Sequence, residues 1–150
     1  MKKTSLTIIA LFTSIGVFAQ NKEIIKTDKA PVPIAPYSQG IKANGFLFVS
    51  GQIGLIPSTR KLVEGGIEAE TTQIMENIRA VLTAGGARME DVVSTTVYLK
   101  NIDDFQKMNE IYGKYFTGNF PTRTTVGIAS LAGGANIEIT VTALLPSKKK

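Results

Sequence analysis

Along Ile137–Leu145 apolar and polar side chains alternate. Ile137, Ile139, Val141 and Ala143 fall on one face, and Glu138, Thr140 and Thr142 on the other. A period of two predicts a strand with one face against a core. Val92–Leu99, rich in β-branched residues, predicts a second strand, and Thr122–Ala129 a third. Upstream, Glu23–Lys26 reads as a short strand. Gln39–Ala43 and Phe46–Gly51 flank Asn44-Gly45, a dipeptide that favours a two-residue hairpin turn. Between these stretches the period becomes helical. From about Glu68 to Ala84 the apolar Ile74, Ile78, Val81 and Leu82 form one stripe, and Gly85-Gly86 supplies a stop. A second helix is predicted from a cap at Asp103 to about Phe116, with Phe105, Met108, Tyr112 and Phe116 on its inner stripe. The run APVPIAPYSQG (30–40) is extended or turning, because each proline biases its predecessor away from helix. Residues 52–66 and the LAGGA segment (131–135) read as loops.

This order predicts an α+β single domain, a mixed sheet with two helices on one face. In the strand from Thr122, Val126 and Ile128 share one side, and Arg123, Thr125 and Gly127 the other. Grouping Arg123, Thr125 and Gly127 with Glu138, Thr140 and Thr142 gives a second sheet face that is small, Thr-rich and sparsely charged. Such a face is too apolar for open water and too polar for a monomer core. It is expected to pack against another subunit, with pockets left between.

The first residues change the domain count. Met1-Lys2-Lys3 is a basic start, Leu6–Phe18 an apolar run, and Val17-Phe18-Ala19 places small residues at −3 and −1 before Gln20. That layout predicts a secretory signal peptide over residues 1–19, with residues 20–150 as the folded domain. The apolar run is shorter than the ~20 residues of a spanning helix. An exported, periplasmic protein without stable membrane association is expected. Removing residues 1–19 takes away two lysines and lowers the formal charge from +5 to +3. Three further lysines are Lys148-Lys149-Lys150, so the body is nearly neutral and offers no basic surface for nucleic acid.

The 150 residues include no cysteine and no histidine. Disulfides, zinc spacings and Ser-His-Asp sets are thereby excluded, and no phosphate loop or dinucleotide fingerprint is present. What stands out is one arginine, Arg123, and one glutamate, Glu138, in strands otherwise small or apolar. A charge there is costly unless paired or met by a ligand. Arg123 offers a planar fork suited to a carboxylate, or else it forms an ion pair with Glu138 between strands. Glu138, partly desolvated, suits general acid or base work, or else it is the partner of Arg123 or a lysine. Tyr37, Ser38, Ser50 and Gly51 lie at corners where they serve either turn chemistry or a small polar ligand. Asn109, mid-helix, either bonds a loop or lines a site.

The segments APYSQG, VSGQIG, ENIRAVLTAGG, DVVSTTVYL, DFQKMNEIYGKYF, NFPTRTTV and IEIT, spanning about Thr27 to Leu145, closely resemble the Rid (RidA/YjgF-like) family of reactive enamine/imine deaminases. The resemblance implies a chorismate-mutase-like fold and a homotrimer with a central barrel and three sites between subunits. It places the family's carboxylate-binding arginine at Arg123 and its water-directing glutamate at Glu138. Tyr37, Ser50, Gly51, Asn109 and, through its backbone N–H, Thr125 take the remaining substrate-binding positions. The implied reaction is hydrolysis of 2-aminoacrylate or other 2-imino acids to 2-keto acids and ammonia, with no metal and no cofactor. The alternative is a non-catalytic trimer that binds small carboxylates in the same clefts. A ribonuclease activity attached to relatives has little to rest on in so neutral a body. Two departures are visible: Thr125 stands where many relatives carry cysteine, and Thr140 where a second glutamate is frequent.

Overall fold

The computed structural model describes residues 22–146, so the expected leader (1–19) and the terminal lysines lie outside the described residues. The strands are β1 (Glu23–Ile25), β2 (Gly40–Ala43), β3 (Phe46–Gln52), β4 (Val92–Leu99), β5 (Thr122–Gly127) and β6 (Ile137–Leu144). The helices are α1 (Gly66–Ala84) and α2 (Phe105–Tyr112). All six strands form one sheet in the order β1-β2-β3-β6-β4-β5. The last strand is therefore inserted at the centre, antiparallel to both β3 and β4. β4 and β5 are parallel, which requires a crossover, and α2 lies in it.

Asn44 and Gly45 both have positive φ (51° and 81°), the geometry a tight hairpin between twisted strands demands. At the end of α1, Gly86 has φ 79°, and the N–H of Ala87 donates back to the Leu82 carbonyl (2.9 Å), closing the helix. The core lies between sheet and helices. Ile137, Ile139, Val141 and Ala143 of β6 meet Leu47, Val49, Val97 and Leu99 on one side. Ile74, Ile78, Val81 and Leu82 of α1 and Met108 and Tyr112 of α2 cover them. Each such buried side chain contributes ~1.5–3 kcal/mol, enough for β6 to hold its face firmly.

Two expectations are corrected. Asp103 does not cap a helix running to Phe116. The side chain of Asn101 accepts from the Asp103 N–H (3.2 Å) and starts a 3₁₀ turn over Ile102–Asp104. α2 begins only at Phe105 and gives way at Gly113 to a second 3₁₀ turn. Asn, two residues upstream, forms the local turn that the capping argument assigned to Asp. Met108, Tyr112 and Phe116 are buried as expected, whereas Phe105 is 38% exposed.

The second correction concerns the faces. Register pairs Thr95 with both Arg123 and Val141, so Arg123, Thr125 and Gly127 share the helix-covered face. Tyr98 pairs with both Glu138 and Val126, which puts Glu138 on the open face with Val126. Arg123 and Glu138 therefore project from opposite faces, and β4 separates their strands. β5 is an edge strand with threonine at three of its six positions, so neither of its faces is marked as the core side. The open face does expose Ile24, Phe46, Phe48, Val126 and Leu144 beside Thr140 and Thr142, as an apolar, Thr-rich surface should.

Candidate active site in two halves

Glu138 stands on the open face near the start of β6, a central strand of the sheet. Beside it, β3 shifts register between Val49 and Gln52, and this irregularity brings Gly51 against the carboxylate. A Cβ at Gly51 would fall inside the Glu138 side chain, so only glycine lets the carboxylate lie flat on this backbone. Glu138 is half-buried, and desolvation holds its pKa above the usual carboxylate range. Four ion pairs join described residues, and Glu138 is in none of them.

Ser50 ties the proline-rich segment to this place. Its hydroxyl donates to the Ser38 carbonyl (2.6 Å), and its N–H donates to the Gln39 carbonyl (3.0 Å). Gln39 is itself buried. Its amide donates to the carbonyls of Thr27, Ala30 and Pro31 and accepts from the Thr27 N–H. A segment of three prolines is thus held by a single side chain where backbone N–H groups are missing. Tyr37, one residue from this anchor, is exposed and lines a neighbouring cleft of about 820 Å³ with Ile24, Val32 and Pro33. Gly51 and Glu138 meet directly, Ser50 is the next residue along β3, and Tyr37 is tied to it through the Ser38 carbonyl.

The second half lies on the other side of the sheet. Arg123, Asn109, Tyr112, Gly113, Phe120 and Pro121 line a cleft of about 420 Å³. Phe105, Asn109 and Tyr112 are spaced four and three apart on α2, which places them on one stripe. The Arg123 guanidinium lies 4.8 Å from the centre of the Tyr112 ring and 5.5 Å from that of Phe105. Among the described residues Arg123, too, makes no ion pair. Its charge is held by aromatic faces, an interaction of ~0.5–2 kcal/mol, and no carboxylate occupies its forked donors. Tyr112 is buried, and its hydroxyl shares a 3.0 Å hydrogen bond with the Thr95 hydroxyl. Burial raises the Tyr112 pKa, while the Thr95 bond and the Arg123 charge oppose that rise. Two residues beyond Arg123, the Thr125 hydroxyl is buried with no hydrogen-bond partner among the described residues.

The ion-pair reading of Arg123 and Glu138 is thereby removed, because side chains on opposite faces of one sheet do not meet. Asn109 joins Arg123, while Ser50, Gly51 and Tyr37 belong with Glu138. The helical period alone assigns Tyr112 and Phe105 to the core stripe and gives Phe120 no role. The available signal was the polar Asn109 within that stripe, which marks where the helix face passes from core to cleft. Among the described residues no group of Asp and Glu side chains converges to hold a metal ion.

Residues 27–145 match the family profile described as Endoribonuclease L-PSP. The chain is 45% identical to Reactive Intermediate Deaminase A, chloroplastic, of Arabidopsis thaliana, over 89% of this chain and 73% of that protein. The chain belongs to the Rid family. The human Rid relative named 2-iminobutanoate/2-iminopropanoate deaminase is 43% identical over 82% of this chain and 90% of its own length. Among solved structures, Escherichia coli TdcF with bound serine superposes with a TM-score of 0.79 at 31% identity, covering 83% of this chain and 99% of that one. The Rid match spans the Thr27–Leu145 interval that the motifs had marked out.

Proposed function

We propose that this chain hydrolyses 2-aminoacrylate and related 2-imino acids to 2-keto acids and ammonia, at sites that join the Arg123 half of one protomer to the Glu138 half of its neighbour. The observation that carries this reading is the placement of two unpaired, complementary groups on opposite faces of one sheet. A small imino acid cannot reach both in a single copy. Contact between unlike surfaces is heterologous and forms a ring when the rotation closes, and the family resemblance points to a ring of three. The exposed apolar residues of the open face give that contact its driving force. Two-fold pairing would instead set like against like and leave each half alone.

In such a site the Arg123 fork takes the substrate carboxylate in bidentate fashion, and Asn109 and the Thr125 hydroxyl offer further polar contacts. Glu138 orients a water toward the imine carbon and accepts a proton as the oxygen adds. It returns that proton to nitrogen to give the carbinolamine, and a second relay through the same carboxylate carries the hydroxyl proton to nitrogen, so that the C–N bond breaks, ammonia leaves and the keto group remains. The sum is imine plus water giving keto acid plus ammonia. An imine carbon is already electrophilic, so positioning and proton relay through one carboxylate suffice. The raised pKa of Glu138 brings its proton affinity closer to that of the reacting groups.

The test generates imino acids in situ with an amino-acid oxidase or a dehydratase and follows keto-acid release with wild type and Arg123→Ala. Faster release with wild type only is expected. Equal rates in both, or none above background, would reject the enzymatic reading. Serine bound to the TdcF relative favours a second reading, a carboxylate-binding trimer without catalysis. Retained 2-keto acid binding without any rate would decide for it. Ribonuclease action, although present in the profile's description, meets a body in which 12 acidic residues balance 12 basic ones once the two leader and three terminal lysines are set aside.

Export belongs to the same proposal. The leader pattern ends at Ala19, ahead of the family match at Thr27. Cell fractionation and N-terminal sequencing should find a chain beginning at Gln20 outside the cytoplasm. A cytosolic chain that keeps residues 1–19 would overturn this part.

A further inference from the structure

From the geometry around β5 we infer that Phe105 and Tyr112 are positioning residues. Together they hold the Arg123 guanidinium between two aromatic faces, and so set the site's preference for a carboxylate-bearing ligand. The inference rests on the reading of Arg123 as the carboxylate clamp. An arginine side chain has four flexible torsions, and nothing acidic among the described residues fixes this one. What meets it is the ring of Tyr112 at 4.8 Å and that of Phe105 at 5.5 Å. Aromatic faces attract the guanidinium without using its N–H donors. A carboxylate in the same position would have consumed the fork.

The Tyr112 ring is itself fixed. It is buried, and its hydroxyl bonds to the Thr95 hydroxyl at 3.0 Å, while Thr95 pairs with Arg123 across the β4–β5 ladder. Ring, threonine and arginine therefore form a closed circuit between helix and sheet. Phe105 completes the clamp from one turn and three residues earlier on α2, and its partial exposure makes it replaceable without loss of core. Preorganisation of this kind reduces the rotamer entropy lost when the ligand carboxylate arrives.

The test measures, by calorimetry on the mature chain, binding of 2-oxobutanoate and of its neutral amide. It also measures KM and kcat with an imino acid generated in situ. Wild type should prefer the acid, and Arg123→Ala should abolish that preference. Phe105→Leu should lower it about 3–10-fold, as expected for loss of one cation–π contact. KM should rise in step, while kcat stays within about twofold and the melting temperature is unchanged. Phe105→Trp should restore the preference, since indole is the strongest such face. Tyr112→Phe, which keeps the ring but releases it from Thr95, should give an intermediate loss. If Arg123→Ala abolishes the preference while Phe105→Leu keeps it, the clamp is refuted and the site stands. The clamp is also refuted if Phe105→Leu weakens acid and amide alike, since that marks a wall contact. If Arg123→Ala itself keeps the preference, the site reading falls and takes the clamp with it.

Discussion

β6 and β5 each carry one charged residue of the proposed site, and they hold it by opposite means. β6 is central, with one face wholly buried, so Glu138 sits at a place no neighbouring register could shift. β5 is an edge strand whose two faces are chemically alike, and Arg123 owes its place to aromatic side chains from α2. The carboxylate is left desolvated against a glycine, and the guanidinium is wrapped in rings. In both cases the missing partner is what makes the group available. A sheet can thus present an acid and a base to the same ligand without their neutralising each other, provided that another copy brings the faces together.

The largest expected effect tests that provision. Arg123→Ala and Glu138→Gln should each lower kcat/KM by about 10²-fold or more, since each removes a charged contact. Co-refolding the two variants in equal amounts should restore about a quarter of wild-type sites, because one in four contacts pairs an intact arginine half with an intact glutamate half in a heterologous ring. No recovery in verified mixed assemblies would place both halves in a single copy and break the comparison. Next in size is Gly51→Ala. Gly51 does not have a positive φ, so its backbone tolerates alanine, but the added methyl group must displace the carboxylate. A roughly tenfold or greater loss of kcat with unaltered secondary structure is expected, as checked by steady-state kinetics and circular dichroism.

Thr125→Val should act in two directions. Removing a buried hydroxyl that lacks a partner should raise stability by about 1 kcal/mol in denaturant unfolding. The same change should weaken ligand binding a few-fold if that hydroxyl serves the ligand. Unchanged affinity would remove Thr125 from the site.

The smallest effect is a slope. The Glu138 pKa is raised in the folded chain, so the native state holds its proton to higher pH than the unfolded chain does. Between the two pKa values, stability falls as pH rises, and above the folded value the cost is constant. Glu138→Gln should flatten that fall and leave stability below the unfolded pKa near wild type. An unaltered slope would mean that Glu138 is not the desolvated group.

Much of the fold is legible in the sequence. The alternation in β6, the Asn44-Gly45 hairpin and the Gly85-Gly86 stop each combine a strong local signal with a burial requirement that agrees with it. Legibility failed where those two parted. Asp103 satisfied the capping pattern as well as Asn101 did, and only the competing turn separated them. In β5, Thr122, Thr124 and Thr125 fit either face, so the apolar Val126 reads as the core marker although it lies on the open side. Tyr112 read as core, which it is, while its edge toward Arg123 depended on a neighbour that sequence spacing does not place.

By itself the sequence determined which residues could carry the chemistry, the helical and extended segments, and the family. Those are properties of composition, local torsional preference and short-range period. Only the tertiary structure decided that Arg123 and Glu138 face away from each other, because that depends on β6 entering the sheet between β3 and β4 in a register that sets Glu138 against Tyr98, while β5 sets Arg123 against Thr95. Strand order is set by how non-local faces bury together, and no period within a single segment records it.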